Sequence, residues 1–434
     1  MKQTSLIATI IVLLCCTSCQ RRPSTLANCD KAKAENVFTI DIEKESSVEK
    51  YSNLFCDIQY VALEETKNSI IGDISRLEVT NSGDLIIFDN RAGSVYRFAP
   101  DGKFLNNIGF RGGGEKEYIL PWDMKYDPFN DKVLVWDNGR SSILTFQVNG
   151  EFINRVQLPW IISTFGIIDK DHLICYMNNG EDIIGDEKGT NYKILKRNGA
   201  IVAEFGEYGA EKATFRPMSK KTFNIQQGRC ICFPPFSNTL FSAEKDSLCA
   251  IATFDLMENE IPQEWLQGQY VDFREKLRKR KDLAEIVSIH ETSKYYVLNI
   301  LKDGPPMLCF IDKDKKKTKK LSLVTINDMY GITEFSYLTQ IHQEKLYFAI
   351  DPIMFEKKND LIKKCPNIKN IKEAYLDMKE VLFPAYSRII GEKNTNAFFD
   401  SISTITSELT TDERILVERM AETSNPILQI CTLK

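Results

Sequence analysis

Histidine is scarce in this chain: His172, His290 and His342 are the only three in 434 residues. They are scattered along the sequence, so a metal centre built on imidazole has too few ligands close together, and general bases are few. Neither a G-x-S-x-G elbow nor an H-E-x-x-H motif is present, which removes two common hydrolase signatures. A surplus of one charge is missing as well. Fifty-six Lys+Arg stand against 60 Asp+Glu, a formal net charge of -4, and without a basic surplus nucleic acid is not an expected partner. No apolar run approaches the ~20 residues needed to span a bilayer. The rest of the composition, 43% hydrophobic and 27% charged, belongs to an ordinary folded chain.

The N-terminus carries an address. Lys2 is a positive start and LIATIIVLL, residues 6–14, is a short apolar segment, so residues 1–18 read as an export signal. Small residues in CTSC lead directly to Cys19. This pattern resembles a bacterial lipoprotein box, which implies diacylglycerol on the Cys19 thiol and a mature chain beginning there. Residues 19–36 would then be a polar tether, and the membrane a partner through acyl chains, several of which hold where one would let go. The alternative is a plain export signal in which Cys19 is one more thiol. Gln20, Arg21 and Arg22 lack the acidic cluster that suggests surface export. The expected location is therefore the cell envelope, lipid-anchored at the outer membrane and facing the periplasm, with surface exposure left open.

The chain has 12 cysteines. Losing Cys15 and Cys16 with the signal and Cys19 to lipid leaves an odd number, which cannot pair completely, and the spacings show no disulfide framework. Buried free thiols are expected, including Cys230 and Cys232 in the strand-like RCICF.

An internal repeat decides the fold. SRLEVTNSGDLIIFDNRAGSVYRFAPDGKFLNNIG, residues 75–109, aligns with DMKYDPFNDKVLVWDNGRSSILTFQVNGEFINRVQ, residues 123–157. Asp89 and Asp137 lie 48 residues apart, as do Gly102 and Gly150, and Gly199 follows 49 residues later. Each unit reads as four short strands with a hairpin over DG or NG, the signature of a propeller blade. Degenerate copies continue near 223–256 and 286–323, and a sixth begins near Phe335 and is completed by the C-terminal NPILQICTLK. The expectation is an all-β fold: one six-bladed β-propeller of four-stranded blades over residues 37–434. VFTIDIE and DIQYVALEE would help close the ring, or would form a seventh blade of their own.

Helical insertions are expected in the C-terminal half. In residues 257–286, Pro262 suits a first helical turn and Leu266, Tyr270, Phe273 and Leu277 fall on one face. Its basic run, 274–281, reads as a solvated helix face or as a patch for anionic lipid or a partner. In residues 356–421, Ile371, Tyr375, Met378 and Leu382 make a helical stripe, and TTDERILVERMAE starts a helix with acidic residues in its first turn.

IQYVALEETKNSIIGDISRLEV, LIIFDN and VYRFAPDGKFLNNIGFRGGGEKEY together are similar to the opening of the six-bladed propeller lipoproteins of Gram-negative bacteria. The similarity is clear over residues 58–160 and looser beyond. Gly114-Glu115-Lys116-Glu117 stands where that family often carries Pro-Gly-Glu. The resemblance implies a propeller related to NHL-type repeats, among relatives that mostly have no assigned activity.

Propeller geometry places the second-to-third turns and the blade-to-blade connections on one face. Arg91 and Arg140 follow second strands, GFRGGGEKEYILPW supplies Arg111, Glu115, Glu117, Tyr118 and Trp122, and the next junction adds Tyr208 and Arg216. These nine residues are the candidate ligand-binding rim, suited to a saccharide, a peptide or an anionic small molecule. Asp89 and Asp137 read more simply as turn residues bonding backbone N–H groups. No catalytic residue, metal ligand or cofactor is assigned. The expected function is a lipid-anchored binding or scaffold module with an envelope partner, and an enzyme is not expected. The alternative is an envelope hydrolase or lyase using channel carboxylates, such as a Glu115 and Glu117 pair, with a divalent cation.

Overall fold

A computed structural model describes residues 37–42, 50–180, 188–217, 221–302, 307–322, 336–364, 371–377, 379–390, 392–403 and 410–434. The expected signal, Cys19 and the tether lie outside the described residues. Six antiparallel sheets of four strands follow one another along the chain and form the blades of a β-propeller. Their innermost strands are Arg76–Val79, Pro121–Asp127, Thr164–Ile167, Phe223–Gln226, Glu285–Glu291 and Ser336–His342.

The second strands show why the sequence makes blades rather than a half-exposed sheet. Leu85–Asp89, LIIFD, is buried along its whole length. Alternate side chains on a strand point to opposite faces, and here each face meets a different neighbour. Leu85 and Ile87 pack with Tyr347, Leu428 and Ile430 of blade six, whereas Ile86 and Phe88 pack with Met124, Val133 and Val135 of blade two. Blade two repeats the arrangement: Val133 and Val135 face blade one, and Leu134 and Trp136 face blade three. Each fully buried side chain of this kind contributes about 1.5–3 kcal/mol of transfer free energy.

The repeated glycine of the hairpins has a steric cause. Gly102 and Gly150 have φ of 88° and 89°. A Cβ on Gly102 would collide with the Ala62 carbonyl, and one on Gly150 with the Asn107 carbonyl. Each turn therefore sits directly against the end of the preceding blade's outer strand, where only glycine fits.

Ring closure joins the two ends of the chain. Phe55–Ala62 is the outer strand of blade six and pairs antiparallel with the C-terminal strand Ile427–Leu433, which pairs with Lys345–Ile350. The other N-terminal strand does not take part in closure. Val37–Thr39 pairs in parallel with Leu248–Asp255 and gives blade four a fifth strand. Phe38 stacks on Phe254 and meets Tyr296 edge-on, so this segment fills the core between blades four and five instead. No seventh blade forms among the described residues.

Both insertions are helical and lie on the face of the blade-to-blade connections. The first holds 3₁₀ turns at Met257–Asn259 and Gln263–Trp265 and an α-helix only over Tyr270–Lys279. Pro262 precedes the second 3₁₀ turn rather than opening the α-helix. The expected apolar face does form: Phe273 is buried with Phe215, Phe236, Ile261 and Leu283, against Leu266, Tyr270 and Leu277. The second insertion links Lys345–Ile350 to Ile427–Leu433 through helices Ile353–Lys364, Ile371–Asp377, Lys379–Ile390, Glu392–Ser403 and Thr411–Ala421. Tyr375 is buried in it, and Met378 falls outside the described residues. The last helix starts with a capping box between Thr410 and Glu413, which satisfies two of the backbone donors at its first turn.

The seven described cysteines form no disulfides: Cys175, Cys230, Cys232, Cys309 and Cys431 are buried, and Cys56 and Cys249 are exposed. Burial pushes the Cys175, Cys230 and Cys309 thiols up to about 12. Among the described residues no helix is long and apolar enough to cross a membrane.

Candidate functional site

The innermost strands carry polar residues in alternation with apolar ones: Arg76 and Glu78, Asp123 and Lys125, Thr164, Asn224 and Gln226, Ser288 and His290, and Gln340. Most are buried. In three strands a register shift immediately precedes the polar residue, at Asp123, Ser288 and Gln340. Such bulges re-aim a side chain and are enriched beside functional sites.

These side chains bond across blades and around the axis. Arg76 Nε donates to Asp123 Oδ1 at 2.8 Å, and Thr164 Oγ1 donates to Asp123 Oδ2 at 2.5 Å, joining blades one, two and three. Lys125 Nζ reaches the Phe223 carbonyl of blade four at 2.6 Å. Asn224 donates to Gln340 Oε1 at 2.7 Å, and Gln340 Nε2 donates to Glu78 Oε2 at 3.2 Å, which brings blade six back to blade one. Gln226 Nε2 sits 2.9 Å from His290 Nδ1 of blade five. Every blade thus supplies at least one member of the network.

Burial sets the protonation states. Desolvation pushes Glu78 up, opposed by the positive charges of Lys125 and Arg76. Desolvation and then Arg76 push Lys125 down to about 8, against the pull of Asp123 and Glu78. Lys221 is exposed as a residue, but its ammonium reaches the Leu338 carbonyl at 3.3 Å, and desolvation lowers it to about 8. His290 is lowered to about 3 by burial and by Lys221, so it is neutral at pH 7. Its tautomer follows from its neighbours. The Glu291 backbone N–H donates to Gln226 Oε1, which leaves Gln226 Nε2 to face His290. Nδ1 must then accept, and the ring proton sits on Nε2. That Nε2 is buried and has no partner among the described residues, leaving a donor of the kind that costs about 1–3 kcal/mol when unsatisfied.

A cavity of about 500 Å³ opens at the end of this network, on the face of the first-to-second turns. Glu78, Gln226, Glu291, Gln340, His342 and Glu344 contribute to its wall. Glu291 is paired there with Arg229 and Lys313. The volume lies within the ~300–1,000 Å³ range of small-molecule sites. Among the described residues, no group of three or more His, Cys, Asp or Glu is gathered as a metal site requires.

The nine rim residues lie on the opposite face or behind it. Arg140 donates to the Gly113 and Gly114 carbonyls. Arg155, not picked out from the sequence, donates to the Glu115 and Glu117 carbonyls. Glu117 Oε2 accepts from Gly114 N at 2.7 Å. The glycine loop is therefore braced by its own neighbours. Tyr118 is buried, its hydroxyl donating to the Ile108 carbonyl at 3.1 Å, and its ring meets Phe146 edge-on. Tyr208 is also buried, against Gly189. Trp122 packs at the edge of the core between blades two and three, with Nε1 donating to the Ser163 carbonyl. Arg91, Arg111, Glu115 and Arg216 are exposed; Arg111 Nε donates to the Ile119 carbonyl at 3.2 Å and Arg216 Nε to the Ala213 carbonyl at 2.8 Å. Asp89 and Asp137 cap turns: Asp89 accepts from the backbone of Gly72, Arg91 and Ala92, and Asp137 from Ile119, Leu120 and Gly139.

The channel network was missed in the sequence, although a signal was there. RLEV, DMKY, FNIQ and SIH each place polar residues two apart at the start of a blade, where an inner strand must sit.

A family model described as a domain of unknown function, DUF4934, matches residues 37–380, and the chain belongs to that family. No curated protein matches it. Among solved structures it is similar to a Bacteroides fragilis protein named as exported, with 15% identity and a TM-score of 0.65, over 92% of this chain and 99% of that one. It is more remotely similar to a DUF4221 family member from Bacteroides vulgatus, with 11% identity and a TM-score of 0.47, over 69% and 93% of the two chains. Virginiamycin B lyase from Staphylococcus aureus stands at 12% identity and a TM-score of 0.37, over 67% and 81%. The first of these shows the propeller fold.

Proposed function

We propose that this DUF4934 chain is a cell-envelope binding or scaffold module that holds a polar partner at its central channel, entered from the face of the first-to-second turns. The observation that carries the reading is the buried network ending in an open cavity of about 500 Å³, beside a buried His290 N–H with no acceptor among the described residues. Carboxylates, amides and an imidazole at the mouth suit a hydroxyl-rich or amide-rich molecule, a saccharide or a peptide, better than an apolar one. The envelope address rests on the export signal and lipoprotein box ending at Cys19, and an exported protein with the same fold agrees with it. A diacylglyceryl anchor at Cys19 would hold the propeller at the outer membrane, facing the periplasm.

One observation favours the enzyme alternative: a carboxylate pushed up beside an amine pushed down, Glu78 and Lys125, is the pairing that acid–base catalysis uses. A hydrolase or lyase would need a divalent cation or a substrate at this pair.

Photo-crosslinking in cells tests the reading. A photoreactive residue at Gln343, in a turn beside the mouth, should capture a discrete partner that one at Arg111 on the opposite face does not. Capture only from Arg111 would move the function to the opposite rim and overturn the channel assignment.

A further inference from the structure

A second cavity, of about 250 Å³, lies between blades two and three. Its depth is apolar, walled by Leu134, Ile143, Leu158, Leu173 and Leu195. Its remaining wall carries four cations, Lys132, Lys170, Lys196 and Arg197, against one carboxylate, Asp127. That carboxylate is already satisfied. It pairs with Arg197 at 2.9 Å and accepts from Phe129 N at 3.1 Å and Asn130 Nδ2 at 3.0 Å. Lys132 bonds Gln147 Oε1. Lys170 and Lys196 are exposed, and neither has an ion-pair partner among the described residues. Arg197 also donates from Nη2 to the Asp169 carbonyl at 2.7 Å. Its Nε is buried with no partner among the described residues.

A slot with an apolar depth, a surplus of positive charge and an orphaned guanidinium N–H selects one kind of molecule. We propose that the cleft between blades two and three binds an anionic amphiphile, a medium-length acyl chain ending in a carboxylate. The cavity holds about eight groups of roughly 30 Å³, the share of volume of one water molecule, so the chain portion is on the order of eight carbons. The carboxylate lies at the mouth with Lys170 and Lys196, and the chain runs along Leu134, Leu173 and Leu195. The cleft shares no lining residue with the channel cavity.

A decanoate carrying a terminal diazirine, irradiated with the full chain and mapped by peptide mass spectrometry, tests it. Site mapping separates this cleft from any binding at the apolar N-terminal segment. Adducts are expected on peptides spanning 153–158 and 195–199, with labelling falling about tenfold in a Lys170→Glu/Lys196→Glu double variant, since two attractive charges become repulsive. Both lysines are exposed, so that variant keeps its fold. Asn154→Trp, which fills the cleft from its rim, should abolish the adducts while leaving the thermal melt in place. Labelling of the same peptides by a decyltrimethylammonium analogue as efficiently as by decanoate would overturn the proposal, as would adducts confined to other regions.

Discussion

Acidification should destabilise this protein through one histidine. His290 is held at about 3 in the fold, by burial first and by Lys221 second, whereas an unfolded histidine titrates near 6.5. Between those values the unfolded chain binds a proton that the native chain refuses, so stability falls as pH falls from about 6.5 towards 3 and is level below that. The geometry explains the refusal. Gln226 turns its Nε2 towards Nδ1 because the Glu291 N–H occupies its Oε1, so a proton on Nδ1 would set donor against donor. At pH 4.5, two units below the unfolded value, the contribution is about 3 kcal/mol, each unit being worth roughly 1.4 kcal/mol. Other groups titrate in this window, and His342 is also lowered, so the comparison that isolates His290 is with His290→Gln, which can accept from Gln226 without ionising. Urea unfolding followed by tryptophan fluorescence at pH 7 and pH 4.5 measures it, with the fully buried Trp136 as a reporter. The wild type should lose about 3 kcal/mol more than the variant over this interval. Equal losses would refute the reasoning, because His290 would then be free to take a proton in the native state.

Phe55→Ala, at the start of the strand that closes the ring, removes a side chain buried against Tyr51 and Phe310. It should cost about 3–5 kcal/mol, read as a lower urea midpoint, and a cost below 1 kcal/mol would show that closure does not depend on that contact. Gly102→Ala should cost at least ~2 kcal/mol, because it forces a side chain into a left-handed turn and against the Ala62 carbonyl; an unchanged thermal midpoint would contradict the steric argument. Native iodoacetamide labelling should modify Cys56 and Cys249 and spare Cys175, Cys230, Cys232, Cys309 and Cys431 until urea is added, and native labelling of Cys230 or Cys232 would show that blade four opens.

The blades were legible in the sequence because three of their features are local. The 48-residue spacing of Gly102 and Gly150 marks a turn that only glycine fits, LIIF and VLVW mark strands buried on both faces, and Asp89 and Asp137 mark capped turns. The destination of VFTIDIE was not legible. Its pairing with blade four depends on Phe254 and Tyr296, more than 200 residues away. The channel network is harder to read. Arginines in loops point a sequence reading to the rim, and Arg140 there donates to backbone carbonyls of the glycine loop, a use that composition does not reveal. Arg76, Glu78, Asp123 and Lys125 sit in strands whose alternation reads as ordinary half-exposed sheet. Only the convergence of six inner strands turns them into one buried network.

The channel assignment is tested most directly by native and elemental mass spectrometry of the mature protein purified from its own envelope, wild type beside a Gln226→Ala/His290→Phe double variant. A stoichiometric small polar molecule is expected on the wild type and absent from the variant, with both proteins folded. A wild type that carries nothing, or a bound molecule that persists unchanged in the variant, would contradict it.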